Sequence, residues 1–200
     1  MSEEHGPDGL AVPFVRDRSD EGQMPMSAPD PVAGERADLL QSLARQRHFL
    51  RYTTRGLTDE QAARQTTASE LSLGGLIKHV ALTEQQWMRF IVDGPAVMSW
   101  DEASAGDWMA GFKMLDGDTL AGLLETYAQV AHRTEELVAG LPDLDAAQPL
   151  APAPWFEPGA RWSARRVLLH LIAETAQHAG HADIIRESLD GASTTAQLVT

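Results

Sequence analysis

Apolar residues recur at intervals of three and four along four stretches of the chain, the spacing of one helix face. The first stretch starts near Glu35, carries Leu39, Leu40, Leu43 and Leu50, and runs to Gly56, which suits a C-terminal stop. The second, "LSLGGLIKHVALTEQQWMRFIVDGP", sets Leu73, Leu76, Ile77, Val80, Trp87 and Ile91 on one face and ends at Gly94-Pro95. In the third, Asp118 offers an N-cap to a helix carrying Leu120, Leu123, Leu124, Tyr127, Val130, Thr134 and Leu137. The fourth is capped by Ser163 and runs to about Leu189, before Asp190-Gly191.

No stretch alternates convincingly as a strand, so the pattern predicts an all-α fold, a four-helix bundle. Between the helices lie a polar connection from Gly56 to Glu70 with room for one helical turn, and a loop over 95–117 with short helical pieces around Trp108 and Phe112. The last connection is the Pro-rich "LPDLDAAQPLAPAPWFEPGARW". The last two are longer than a minimal up-down bundle needs, so a long crossover connection is expected. Residues 1–33 hold five prolines among Gly, Ser and acids and read as a flexible tail. Residues 34–192 form the bundle, and 193–200 a short extension.

Charge changes the picture by excluding partners. The formal net charge of −13 argues against a nucleic-acid backbone. By segment the balance is −5 over residues 1–33, +1 over 34–100, −8 over 101–145 and −1 over 146–200. Arg45, Arg47, Arg51 and Arg55 cluster in the least acidic part and read as a solvated helix face, with an anion landing site as the alternative. There is no cysteine, which removes disulfides, thiolate metal sites and a cysteine nucleophile together. No apolar run approaches the roughly 18 residues of a membrane span, and the N-terminus lacks the basic and apolar regions of a signal peptide. A soluble, cytoplasmic protein is expected.

The candidate chemistry lies in "HLIAETAQHAGHADIIRE". At about 100° per residue, His170, Glu174, His178 and His181 fall within an arc of roughly 80°, beside Leu171, Ile185 and Leu189. The polar cluster therefore faces where the apolar residues face, and burying a carboxylate and imidazoles is costly unless each finds a partner. No Lys or Arg lies within a turn of Glu174 on its face. A metal ion would satisfy the group: Glu174 and His178 are one turn apart, and a third ligand from a facing helix would be His79. Three protein ligands leave a coordination position open, as in catalytic sites. The competing reading is a hydrogen-bonded core network. His181 is expected to hydrogen-bond a ligand, with ion binding or packing as alternatives, and His170 to play a structural or supporting part. Trp87 and Trp162 either line an apolar pocket near the ion or simply pack. His5, His48 and His132 read as surface or boundary residues.

The succession "LSLGGLIKHVALTEQQW" and "RWSARRVLLHLIAETAQHAGHADIIRE" resembles the DinB-like superfamily, in particular its actinobacterial branch related to mycothiol-dependent maleylpyruvate isomerases. The resemblance covers about residues 34–192. It implies a four-helix bundle with a divalent metal bound by His79, Glu174 and His178, where Glu174 replaces the His of many members. Zinc is the first expectation, with nickel and manganese as alternatives. It implies a metal-dependent thiol S-transferase or isomerase acting with a low-molecular-weight thiol such as mycothiol on a small electrophile; His181, from its place on the same helix face, is the catalytic candidate, and the resemblance does not make it a metal ligand. A homodimer is also expected from the resemblance. Two other readings stand beside it. One is a metal-dependent hydrolase whose base would be His181, Glu84 or His170; the other is a non-catalytic bundle in which the ion holds the fold. Glu84 has a plainer alternative as a salt-bridge residue between helices.

Overall fold

The computed structural model describes residues 33–98, 106 and 109–194. The tail before residue 33, with His5, and Trp108 lie outside the described residues. Four long helices and one short helix account for most of the described chain: α1 (Glu35–Tyr52), α2 (Asp59–Ala63), α3 (Leu73–Asp93), α4 (Leu120–Gly140) and α5 (Ala164–Asp190). A 3₁₀ turn over Gly94–Val97 follows α3. The fold is the expected all-α, DinB-like bundle. None of these helices is long and apolar enough to cross a membrane.

Caps explain the helix boundaries. The Ser72 and Ser163 hydroxyls accept from the backbone N–H of Gly75 and Arg166, closing the first turns of α3 and α5. Gly94 and Gly191, with φ of 76° and 78°, end those helices in a conformation that Gly takes without steric cost. Helix α4 begins one residue later than the sequence suggests. Thr119 is its cap, whereas the Asp118 carboxylate accepts from Lys78 and from the Leu115 N–H. Helix α1 ends before Gly56, at Tyr52, and tight turns continue the chain to that glycine. The single helical turn allowed for the following connection is α2, closed by a reciprocal capping box between Thr58 and Gln61.

The expectation of no strand needs correction. Within the Pro-rich connection, β1 (Ala147–Pro149) pairs antiparallel with β2 (Arg161–Ser163), Gln148 opposite Trp162. Three residues per strand with a Pro at one end carry no readable alternation; Pro is tolerated here because the ladder has two open edges. The ladder holds the connection against the start of α5, where Ala164 and Arg165 donate their backbone N–H to the carbonyls of Ala146 and Leu144.

Helix α1 packs chiefly on α5, and α3 packs on both α4 and α5. The core divides into two apolar clusters, one around Leu43, Phe90, Val138 and Leu171 and the other around Leu50, Val80, Tyr127 and Ala182. Between them along the helices runs a polar layer of Arg47, Glu84, Thr134 and Thr175, one residue from each of four helices. The Arg47 guanidinium donates to both oxygens of the fully buried Glu84, at 3.0 and 2.5 Å, and Thr134 Oγ1 donates to the same carboxylate at 2.6 Å. Arg47 is thus an interior residue, unlike its expected place on a solvated face. Its neighbours Arg45 and Arg51 are exposed as expected.

Candidate metal centre

The face of α5 that carries Glu174 and His178 packs against α3, and His79 meets it there. One ligand atom from each of these three side chains lies within 4.8 Å of the other two. His79 Nε2 is 3.3 Å and His178 Nε2 3.2 Å from the same carboxylate oxygen, Glu174 Oε1. His79 and His178 are buried, whereas the Glu174 side chain keeps 23% of its surface. No Lys or Arg is bonded to Glu174 among the described residues; its partners are imidazoles.

Electrostatics follow from this packing. Hydrogen bonds from His178 and His79 hold the Glu174 carboxyl far below the usual carboxylate range, outweighing the effect of burial. Burial pushes His79 below the usual imidazole value, so its ring is neutral near pH 7, the form that binds a metal. Two imidazole nitrogens and a carboxylate, converging from two helices with access on one side, suit a divalent ion with an open coordination position. Such an ion would take the place of the protons now shared between the ring nitrogens and Oε1. The cluster could therefore hold a metal.

Supporting contacts surround it. His181 Nδ1 lies 3.4 Å from His178 Nδ1, on the side of that ring turned away from Glu174. His181 thus stands behind His178 and is not part of the three-residue cluster. Thr83 Oγ1 is 3.4 Å from His79 Nε2. Phe112 stacks on His79 from the loop before α4. That loop approaches α3 closely because the helix begins with two glycines. A Cβ on Gly75 would stand 1.9 Å from the Phe112 carbonyl oxygen, and one on Gly74 would stand 2.2 Å from Met114 Sδ. Spacing along a helix cannot show a ring arriving from a loop; the pair Gly74-Gly75, one turn before His79, is the trace it leaves in the sequence.

A cavity of about 510 Å³ opens beside the cluster, bounded by His79, Thr83 and Glu174 at one end and by Trp155, Phe156 and Trp162 at the other. Trp87 and Trp162 both line it, their rings stacked 4.8 Å apart and 11° from parallel. His170 also faces it, with a pKa that burial lowers. Trp155 and Phe156 escaped the sequence reading because the strand pair, not a helix face, puts them there. A wider groove of about 990 Å³ between α1 and α4 includes Arg47, Arg51 and Arg55 but shares no lining residue with this cavity.

The other candidates fall outside the site. Glu84 is taken up by Arg47 and Thr134 and cannot serve as a free base. His132 is exposed and pairs with Glu136, and His48 is exposed against Tyr52.

Fold and cluster together define a DinB-like bundle with a candidate metal centre between α3 and α5. The chain belongs to the mycothiol-S-transferase family, whose sequence model matches residues 38–191. Among curated proteins the comparison finds no match.

Proposed function

We propose that the protein is a metal-dependent S-transferase that joins a low-molecular-weight thiol of the mycothiol kind to a small electrophile. The observation that carries this reading is the convergence of His79, Glu174 and His178 at the end of a largely aromatic cavity, in a chain of the mycothiol-S-transferase family. A divalent ion held by these residues, with zinc the first candidate, supplies a Lewis acid that lowers the pKa of a thiol presented to it.

The chain's own residues do the rest. His79, buried and neutral, and Glu174, held ionised, leave a divalent site with about one net positive charge, which favours an anionic sulfur over a neutral one. His181 orients His178 through its second ring nitrogen. The aromatic walls give the acceptor an apolar surface next to the cluster. Because the sequence has no cysteine, the sulfur must come with the cosubstrate. The cytoplasm, where small thiols stay reduced, is the compartment that suits this chemistry. Hydrolysis is the weaker reading, since Glu84, the one carboxylate considered as its base besides the histidines, is bound to Arg47.

Elemental analysis of protein purified without chelators, beside Glu174→Ala, tests the site. About one metal equivalent in the parent, little in the variant, and consumption of electrophile only when thiol is present are the expected results. An absence of metal after reconstitution with zinc, nickel and manganese, or full transfer by the metal-free variant, would overturn the proposal.

A further inference from the structure

The half of the cavity away from the cluster has a composition that selects its occupant. Trp87 and Trp162, stacked on each other, form a rigid aromatic wall, and Phe156 meets Trp162 edge-on at 5.6 Å. Arg166 is held over the Trp162 ring at 4.9 Å but does not line the cavity. Among the described residues no Lys or Arg lines it, and the one carboxylate that does, Glu174, belongs to the metal cluster. A negative group carried at the aromatic end would be buried without a partner, which is costly. A flat uncharged ring would gain stacking and edge contacts there.

Besides Thr83 and the cluster residues, the polar side chains lining the cavity among the described residues are Gln86, whose Nε2 donates to the Val97 carbonyl at 3.5 Å, and His170. The His170 ring stands edge-on to both indoles, 5.0 Å from Trp87 and 5.2 Å from Trp162. Among the described residues its nitrogens make no hydrogen bond, although it is only partly exposed. It lies one turn before Glu174, so its free N–H is carried about 6 Å along the helix from the metal cluster. The volume, about 510 Å³, is that of a pocket for a small organic molecule.

We infer that this cavity binds the electrophile, that the electrophile is an uncharged, planar, aryl-substituted α,β-unsaturated carbonyl compound, and that His170 donates a hydrogen bond to its carbonyl oxygen. The inference rests on the S-transfer reading for its chemistry. The thiol gives up its proton to solvent water and the sulfur adds to the β carbon of the enone. A C–S bond forms, the π pair of the alkene moves to the carbonyl oxygen as an enolate, and the proton returns to the α carbon, leaving a saturated thioether ketone. His170 acts where negative charge gathers, at the carbonyl oxygen.

The test uses zinc-loaded protein and two arms. In the first, calorimetry without thiol compares benzylideneacetone with its ring-carboxylated derivative. The neutral ketone should bind at least about tenfold more tightly, and Trp162→Leu should weaken it about tenfold at unchanged zinc content and helical signal. Phe156→Leu gives the same test if Trp162→Leu loses its helical signal. Equal binding of the two ketones, or no effect of either variant, overturns the pocket assignment. In the second arm thiol is added. His170→Phe should lower kcat about tenfold with KM little changed, and His170→Gln, which keeps an N–H, should recover part of it. An unchanged kcat in His170→Phe overturns the role of His170. Selective ketone binding without thiol consumption upholds the pocket and overturns S-transfer. Turnover of methyl vinyl ketone, which has no ring, without any preference for the aryl ketone upholds transfer and overturns the pocket.

Discussion

Phe112 lies flat on His79, the ring centroids 3.7 Å apart and the planes 17° from parallel. The contact covers one face of the imidazole with a ring that comes from a loop, since Phe112 belongs to the segment leading into α4. Phe112→Ala should free the His79 ring to rotate away from Glu174. A weaker hold on metal, by about tenfold, is expected when zinc is titrated against a competing chelator.

Gly75→Ala should reach the same end by a different route. Its new methyl would collide with the backbone carbonyl of Phe112, an atom that no rotamer change can move aside. The loop must shift, and both thermal stability and zinc retention should fall. Gly140→Ala is the control: a Cβ there meets nothing within 4 Å.

His181→Ala removes the partner of the second nitrogen of His178 while leaving all three candidate ligands in place. Loss of such an orienting contact costs roughly 10–100-fold in metal affinity. The same chelator titration reads it, and an unchanged affinity would show that His178 needs no support from behind.

Acid should destabilise the metal-free protein in two stages. Folding lowers the pKa of His79 and His170, chiefly through burial, so the unfolded chain takes up protons first as pH falls below the ordinary imidazole value of 6.5. Their contribution is complete above that pH and declines below it. Glu174, lowered by its hydrogen bonds to His178 and His79, adds a loss of the same sign once pH drops below its ordinary value of 4.5. Melting temperatures of chelator-treated protein should therefore hold steady from about pH 8 to about pH 7 and fall from about pH 6.5 downward. His170→Phe should flatten the first part of that fall.

The buried pair in the polar layer makes a prediction about stability alone. Arg47→Ala leaves the Glu84 carboxylate inside the bundle with only Thr134, and should cost about 3–5 kcal/mol in denaturant unfolding. Replacing both members, as Arg47→Met with Glu84→Leu, should recover most of that loss. A double variant no more stable than Arg47→Ala would mean that Thr134, which donates to Glu84, and Glu135, which accepts from Arg47 Nη1 at 3.2 Å, depend on the charge.

The helices were legible because each repeats its apolar face over several turns and carries its own stop signals, Ser72 and Gly94 for α3, Ser163 and Gly191 for α5. The same periodicity brought His170, Glu174, His178 and His181 to one side of α5. It could say less about what faces them. His79 was found as a candidate because it is the one histidine of α3, whereas Phe112 and Phe156 arrive from loops whose course depends on close packing and on a short strand pair. Arg47 shows another limit of pattern reading. A guanidinium among exposed residues looks solvated until a carboxylate on a different helix, here Glu84, draws it inward. A shift of one residue at the start of α4 has a similar cause: Lys78 and the Leu115 N–H engage Asp118, and the cap passes to Thr119.

The strand pair gives the bundle a replaceable part. The loop over residues 150–160 is closed at its base by the Leu150 N–H donating to the Ala160 carbonyl, just beyond the paired strands. Residues inserted or exchanged in that loop would recontour the wall that Trp155 and Phe156 contribute, while the Ser163 cap and the ladder keep the first turn of α5 in register. Glu174 and His178 ride on that helix. Under the proposed function, recognition and metal retention would then be free to drift at different rates in descendants of one ancestral chain, the loop sampling new acceptors while the helix keeps its ligands.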